Sequence, residues 1–138
     1  NLLPSKLFEE YDVWNSDPYP HEEWIPQVVV INLGTNDGSA GVTQEEFLNA
    51  GKKFIRTIRS KYADAQIVWA YGVMGKTYEE TIRTMVEQMN SEGDTKVHCV
   101  IFDDMADNEH GALGHPNVAG HRTMADRMIA EMDQFVQW

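Results

Sequence analysis

The chain has 138 residues, of which 42% are hydrophobic and 24% are charged, a composition typical of one folded globular domain. Its 22 acidic residues outnumber the 11 basic residues and give a formal net charge of -11 at pH 7. Such a charge repels phosphate backbones and anionic lipids, so we expect no nucleic acid and no membrane among the partners. Neutral ligands such as sugars remain compatible with the charge, and so does a role in solubility alone.

A single cysteine, Cys99, lies inside an apolar run, which excludes a disulfide framework and a thiolate metal site. No apolar run approaches the roughly 20 residues that span a bilayer. The chain begins at Asn1, without an initiator methionine and without the features of a secretion signal. We therefore expect processing or truncation upstream, and the cellular compartment stays open.

Alternating strand and helix patterns follow a lead-in at residues 1–25, where a short helix at 4–11 precedes an irregular loop. The β-branched run 27–32 predicts a strand that is buried on both faces, as in a parallel sheet. Thr43 and Glu46 form a capping box, which predicts a helix over about 44–61. Farther on, the pattern predicts a strand at 66–71, a helix through 82–89, a strand at 96–102, and a helix over 118–136 with Met124, Met128, Ile129, Met132 and Phe135 on one face.

This β-α-β-α-β-α order predicts the α/β class, as a three-layer α/β/α domain with a flavodoxin-like parallel sheet. We expect one domain at 1–138, made of the irregular lead-in 1–25 and the βαβαβα part 26–138. All three predicted strands read as fully buried, although at least one must lie at a sheet edge, and sheets average about 5–6 strands. We therefore expect the N-terminal strands to come from an upstream segment or from another chain.

Two segments carry the side chains best suited to chemistry, 34–37 after the first strand and 114–117 before the last helix. In an open parallel sheet, the loops that follow the strands meet at one edge, where ligands bind. We therefore expect Asn36 and His115 to converge there, with 72–74 (Gly72, Val73 and Met74) lining the same cleft. An amide at such an edge can stabilise a developing oxyanion, and an imidazole can take a proton from a hydroxyl group.

Local alternatives exist for both segments. Asn36-Asp37-Gly38 is also a plain turn sequence, since these residues form turns for purely local reasons. His115, directly before a proline at a helix start, can equally be a histidine without chemistry.

Together, the two segments resemble the third and fifth signature blocks of the SGNH (GDSL-like) hydrolases. The run 30–37, Val-Ile-Asn-Leu-Gly-Thr-Asn-Asp, and the helix at 54–59 look most like carbohydrate esterase family two, whose members remove acetyl groups from plant polysaccharides. The resemblance covers about 24–138. It implies that Asn36 is an oxyanion-hole donor and His115 the general base, with no cofactor and no metal, and that the substrate pocket includes Gly34, Thr35, Asp37 and Gly114.

The family's nucleophile is a serine in a Gly-Asp-Ser turn, and a glycine in a second block completes its oxyanion hole; neither block occurs in this chain. The chain thus resembles the C-terminal half of the catalytic domain, with the serine on an N-terminal segment of the same protein. Ser39 is the one serine near the predicted edge and is an alternative nucleophile.

Most SGNH hydrolases have an aspartate three residues before the histidine, where this chain has Ala112. The likeness to family two implies instead that a backbone carbonyl, of Ala112 or Leu113, accepts the Nδ1 proton in a Ser–His dyad. The histidines at 110, 115 and 121 also suggest a metal cluster, but their spacing fits no common zinc arrangement.

The leading hypothesis is therefore a serine esterase that removes acetyl groups from a polysaccharide or oligosaccharide. One alternative is a lipid or thioester acyl hydrolase of the same fold, and another is a binding module that lacks the nucleophile. Gly114 provides no aromatic side chain before the histidine on which a sugar ring can stack. The candidates for stacking are therefore Trp14, Trp24 and Tyr71, unless these side chains pack in the core.

Overall fold

A computed structural model describes residues 3–10 and 17–137, without the side chains of Leu3 and Ser5. Three parallel strands form one sheet in the spatial order β1-β2-β3. The strands are β1 (Val28–Ile31), β2 (Gln66–Gly72) and β3 (Val97–Phe102). The helices are α1 (Leu3–Glu9), α2 (Thr35–Ser39), α3 (Gln44–Lys61), α4 (Glu79–Ser91) and α5 (Val118–Met132), and the short 3-10 turns lie at His21–Glu23, Asp107–Glu109 and Ala112–Gly114.

Alternating side chains of the central strand β2 divide the core into two layers. Ile67, Trp69 and Tyr71 pack with α3 and α4 on one face, whereas Val68 and Ala70 pack with α5 on the other. This arrangement confirms the predicted α/β class, with its parallel sheet between two helical layers. None of the helices in the described part of the chain is long and apolar enough to cross a bilayer.

Helix α3 begins with the predicted capping box. The Thr43 hydroxyl oxygen accepts the backbone N–H of Glu46 at 3.2 Å, and the Glu46 carboxylate accepts that of Thr43 at 2.9 Å. Each bond satisfies a backbone donor that the first helical turn would otherwise leave unpaired. The apolar face then buries Ile55 and Ile58 completely, as the helical spacing predicted.

The prediction that the first strand is buried on both faces is wrong. Val30 is 48% exposed, and Val28 and Val29 are only half-buried. Among the described residues, β1 pairs only with β2, so its other edge has no neighbouring strand. A β-branched run reports strand propensity equally well at a centre and at an edge, which explains the error.

The last helix is shorter than predicted and ends at Met132. The chain then turns, and the Phe135 ring stacks on the His98 imidazole of β3, with 3.7 Å between ring centroids and 8° between planes. This contact draws Phe135 off the helical path. Ile129, predicted on the apolar face with Met128, is exposed.

The lead-in contains the predicted short helix, as α1, and the described part of the predicted loop, 17–24, is irregular apart from one 3-10 turn. Its helix α1 and the turn at His21–Glu23 enclose His21, which is 6% exposed and packs among the rings of Phe8, Tyr19 and Tyr62. The imidazole Nδ1 lies 2.6 Å from the Tyr62 hydroxyl oxygen. The part of the predicted loop at 11–16, including Trp14, falls outside the described residues.

We expect the stability of the fold to decrease as the pH falls below about 7. Burial lowers the pKa of His21 from 6.5, with help from the nearby Lys61 charge, and burial also lowers the pKa of His98. Between 6.5 and the lowered values, the unfolded chain binds more protons than the folded chain, so acidification favours unfolding. Urea unfolding at pH 7.5 and pH 5.5 measures the difference.

The variant His21→Phe removes one of these groups and should reduce the pH dependence, whereas the exposed control His121→Gln should keep it. Equal pH dependence in His21→Phe and the parent protein would show that His21 plays no part.

Candidate active site

The carboxyl ends of the three parallel strands lie at one edge of the sheet, and each is followed by a segment predicted to carry the site. The helix α2, with Asn36, follows β1; residues 72–74 follow β2; and the loop 103–114 leads from β3 to His115. Neighbouring strands lie about 4.8 Å apart, so β1 and β3 are about 10 Å apart with β2 between them. The segments that carry Asn36 and His115 therefore follow strands whose carboxyl ends share this edge, on opposite sides of β2.

Asn36 lies in the one-turn helix α2, whereas the local alternative for 36–38 was a plain turn. Gly34 makes the abrupt change from strand to helix with φ +124°, and a Cβ there would lie 2.9 Å from the Tyr71 ring. Only glycine combines that dihedral angle with that closeness. The exposed Asn36 amide makes no side-chain hydrogen bond with the described residues, so its N–H groups remain available to a ligand.

His115 follows the 3-10 turn Ala112–Gly114, which bends the loop back on itself. The backbone N–H of His115 donates to the Ala112 carbonyl at 3.1 Å, and the ring Nδ1 lies 3.3 Å from the same oxygen. A carbonyl oxygen only accepts hydrogen bonds, so this contact requires the proton on Nδ1 and leaves the Nε2 lone pair free. Of the two carbonyls predicted to orient the ring, that of Ala112 makes the contact.

Non-glycine residues with left-handed backbone conformations occur twice in the described chain, and both lie in loops of this edge. Val73 and Leu113 each have φ +54°. Such conformations cost about 1 kcal/mol or more and concentrate at functional sites. Leu113 is also 95% exposed, two residues before His115.

The remaining predicted pocket residues do not form one pocket. Asp37 lines a cavity of about 300 Å³ beside α3, whereas Val73 lines a cleft of about 150 Å³ beside α5. Asn36 and His115 line neither cavity. Of the others, Gly34 and Gly72 are buried, Thr35 is half-buried, and Met74 and Gly114 are exposed.

The sequence offered no signal for Lys76, which connects the loop after β2 with the loop after β3. Its ammonium group donates to the Phe102 carbonyl at 2.6 Å and lies 3.6 Å from the Asp104 carboxylate. A lone lysine in a loop matches no motif. Its contact with Phe102 becomes visible only once the strands are paired.

Other nucleophile and ligand candidates find little support in the geometry. Burial raises the pKa of the Cys99 thiol, which disfavours the reactive thiolate. Ser39, at the end of α2, makes no hydrogen bond with His115. Within 3–10 and 17–137, no three histidine, cysteine or acidic side chains are grouped to hold a metal.

The aromatic candidates for sugar stacking differ in their exposure to solvent. Tyr71 is buried in the core and offers no platform to a ligand, whereas Trp24 is 67% exposed. Trp14 lies outside the described residues.

Comparison with known proteins finds one matching family model and similar proteins that are named as esterases. A family model described as the GDSL-like Lipase/Acylhydrolase family matches residues 10–123. The cellulase/esterase CelE of Acetivibrio thermocellus is 35% identical over 136 aligned residues, covering 88% of this chain and 16% of that protein. An acetylxylan esterase / glucomannan deacetylase of Cellvibrio japonicus is 26% identical, covering 90% of this chain and 38% of that protein.

Among solved structures, a family two carbohydrate esterase from Clostridium thermocellum, in complex with cellohexaose, superposes with a TM-score of 0.87 and 31% identity. The match covers 94% of this chain and 42% of that one. The chain thus spans less than half the length of each of these relatives.

We expect Gly72→Ala to destabilise the protein by about 2–4 kcal/mol, because the left-handed φ of +122° disfavours a side chain and the new Cβ would lie 2.6 Å from the Phe102 carbonyl oxygen. The control Gly93→Ala has a φ of +107° but open space around the Cβ, so it should lose only about 1–2 kcal/mol. Urea denaturation compares the two variants. An equal loss in both would mean that β2 and β3 are not packed as closely at their carboxyl ends as the structure indicates.

Proposed function

Because the chain belongs to the GDSL-like lipase/acylhydrolase family, we propose that it forms the C-terminal part of a serine esterase that removes acetyl groups from carbohydrates. One observation carries the proposal. His115, in the segment that follows β3, is held through Nδ1 by the Ala112 carbonyl, and the exposed amide of Asn36, in the helix that follows β1, makes no side-chain hydrogen bond with the described residues. A base and an oxyanion donor at one edge are two of the three groups that acyl transfer requires.

In the proposed mechanism, a serine hydroxyl attacks the acetyl carbonyl while Nε2 of His115 takes the hydroxyl proton. The Asn36 amide donates to the oxygen that becomes negative. The imidazolium then gives its proton to the departing sugar hydroxyl, which leaves an acetyl-enzyme. A water molecule, deprotonated by Nε2, releases acetate by the reverse sequence.

The Ala112 carbonyl contributes orientation rather than charge. It keeps the proton on Nδ1, so that Nε2 is the basic nitrogen. A neutral carbonyl stabilises the imidazolium less than a carboxylate would, and the proposed catalytic unit is accordingly a Ser–His dyad.

The serine, in this proposal, belongs to an N-terminal segment of the same protein. Three observations support this placement: Gly-Asp-Ser does not occur in the 138 residues, no strand among the described residues lies beside the partly exposed outer edge of β1, and the chain spans 38% of the acetylxylan esterase relative. A strand added beside β1 would bring its carboxyl end to the edge that carries Asn36.

The proposed substrate is an acetylated polysaccharide or oligosaccharide. The acetylxylan esterase / glucomannan deacetylase and the cellohexaose complex among the relatives support a carbohydrate. The formal charge of -11 is compatible with a neutral sugar and unfavourable for nucleic acid or an anionic membrane.

We expect His115→Ala to abolish hydrolysis of a small acetyl ester and Asn36→Ala to lower kcat by about 10²–10³, the usual cost of losing one oxyanion donor. The assay uses the natural polypeptide that carries this chain together with its upstream segment. The exposed control His121→Ala lies on α5 and should retain parental activity. Normal turnover in both the His115 and Asn36 variants would exclude the proposed roles.

The absence of a Gly-Asp-Ser turn favours the second candidate, a binding module without a nucleophile. The sequence upstream of residue 1 in the natural gene distinguishes the two. A Gly-Asp-Ser there supports the esterase; its absence, with no partner chain that supplies the serine, supports the binding module.

We expect the esterase to hydrolyse acetylated xylan faster than long-chain acyl esters, because neither of the two cavities described above, formed by the described residues, is lined by Asn36 or His115 and could hold a long acyl chain beside them. Release of acetate and of fatty acid, measured side by side, gives the ratio. A preference for long chains would identify a lipid or thioester acyl hydrolase of the same fold instead.

A further inference from the structure

The loop that carries His115 is fastened at its base by one side chain to which the sequence analysis assigned no role. We propose that Asn117 is a positioning residue that holds the His115 imidazole in place for acyl transfer. The inference deepens the proposed function and rests on it, but it stands on contacts of its own.

Asn117 donates to three consecutive backbone carbonyls. Its side-chain Nδ2 donates to Asn108 at 2.8 Å and to His110 at 3.2 Å, and its backbone N–H donates to Glu109 at 2.8 Å. These bonds join the beginning of α5 to the 3-10 turn Asp107–Glu109. The two ends of the His115 loop are thereby held at a fixed distance.

The same side chain also caps α5. Its Oδ1 accepts the backbone N–H groups of Ala119 at 2.8 Å and Gly120 at 3.1 Å. Both side-chain donors and the acceptor oxygen of Asn117 are therefore used. An ordinary helix cap needs only the oxygen, for which Asn, Asp and Ser serve about equally well. The two donated bonds are the feature that a cap alone does not explain.

The first two turns of α5, which follow Asn117, pack closely against the 3-10 turn Asp107–Glu109. Gly120 lies one helical turn farther on, where a Cβ would approach the Glu109 carbonyl oxygen to 2.9 Å. Thr123, a further turn along, donates its hydroxyl to the Glu109 carboxylate. That carboxylate also accepts the Ala106 backbone N–H at 2.8 Å. Helix α5 thus contacts the 3-10 turn Asp107–Glu109 along its first two helical turns.

Between its two fastened ends, the loop leaves His115 little freedom. His110 and Pro116 form an antiparallel bridge, and the Gly111 N–H donates to the His115 carbonyl at 2.6 Å. The left-handed Leu113 lies at the tip, and such strain persists only where surrounding contacts enforce it. Loss of the Asn117 bonds at the two ends of the loop would let Leu113 relax. It would also weaken the contact between the His115 ring and the Ala112 carbonyl.

The variant Asn117→Asp separates positioning from capping. A carboxylate keeps the cap and suits the positive end of the helix dipole, but it cannot donate to the carbonyls of Asn108 and His110 and repels them. We expect kcat on an acetyl ester to fall by about 10²-fold, the cost of a misplacement of about 1 Å, while KM changes less than about twofold. In ¹⁵N NMR spectra, the His115 ring signals should move from the Nδ1–H pattern towards a mixture of tautomers.

Thr43→Ala is the matched control, because it removes the capping box of α3 and costs about 1 kcal/mol without touching the His115 loop. It should leave kcat and the ring signals unchanged. Both variants are made in the natural polypeptide with its upstream segment, and thermal unfolding of each is recorded alongside.

Parental kcat and ring signals in Asn117→Asp would show that Asn117 is a cap only and would overturn the inference. An equal fall of kcat in Thr43→Ala would attribute the effect to lost stability and overturn it as well. If the proposed function is wrong, His115→Ala keeps its activity. In that case the ring signals of His115 in Asn117→Asp still decide whether Asn117 positions the ring.

Discussion

The central strand β2 is the element on which the rest of the structure depends. It pairs with β1 on one side and β3 on the other, and its residues from Ile67 to Gly72 are buried. Because both pairings are parallel, the ends of β1 and β3 are brought to one edge of the sheet. The spacing of β1 and β3 at that edge, about 10 Å, is thus set by β2 between them.

At that edge, the chain adopts backbone conformations that most residues avoid. Gly34, which precedes α2, and Gly72, which ends β2, have strongly positive φ, and side chains there would collide with the Tyr71 ring and the Phe102 carbonyl, respectively. Lys76 then ties the loop after β2 to the end of β3. The apolar core is tolerant of substitutions of similar volume, whereas these strand ends tolerate almost none.

The sequence was informative wherever a local pattern decides the structure. The capping box of α3, the order of the elements and the parallel sheet were predicted correctly, because periodicity and capping act within a few residues. The exposure of Val30 and the departure of Phe135 from α5 were not predicted, since each depends on a partner far away in the chain. The roles of Asn36 and His115 remain predictions, and neither Lys76 nor Asn117 was given a role, because their partners are backbone carbonyls without a sequence signature.

The open side of β1 has a consequence for handling the protein. In the described part of the chain, the amides and carbonyls on this side pair with no strand, and next to the partly exposed Val30 they form a template onto which another copy can add a strand. Natural proteins protect such positions with charge, proline or a covering element, and 28–31 contains only valine and isoleucine. Produced as these 138 residues alone, the polypeptide is therefore expected to associate edge to edge, and the acidic net charge opposes its precipitation.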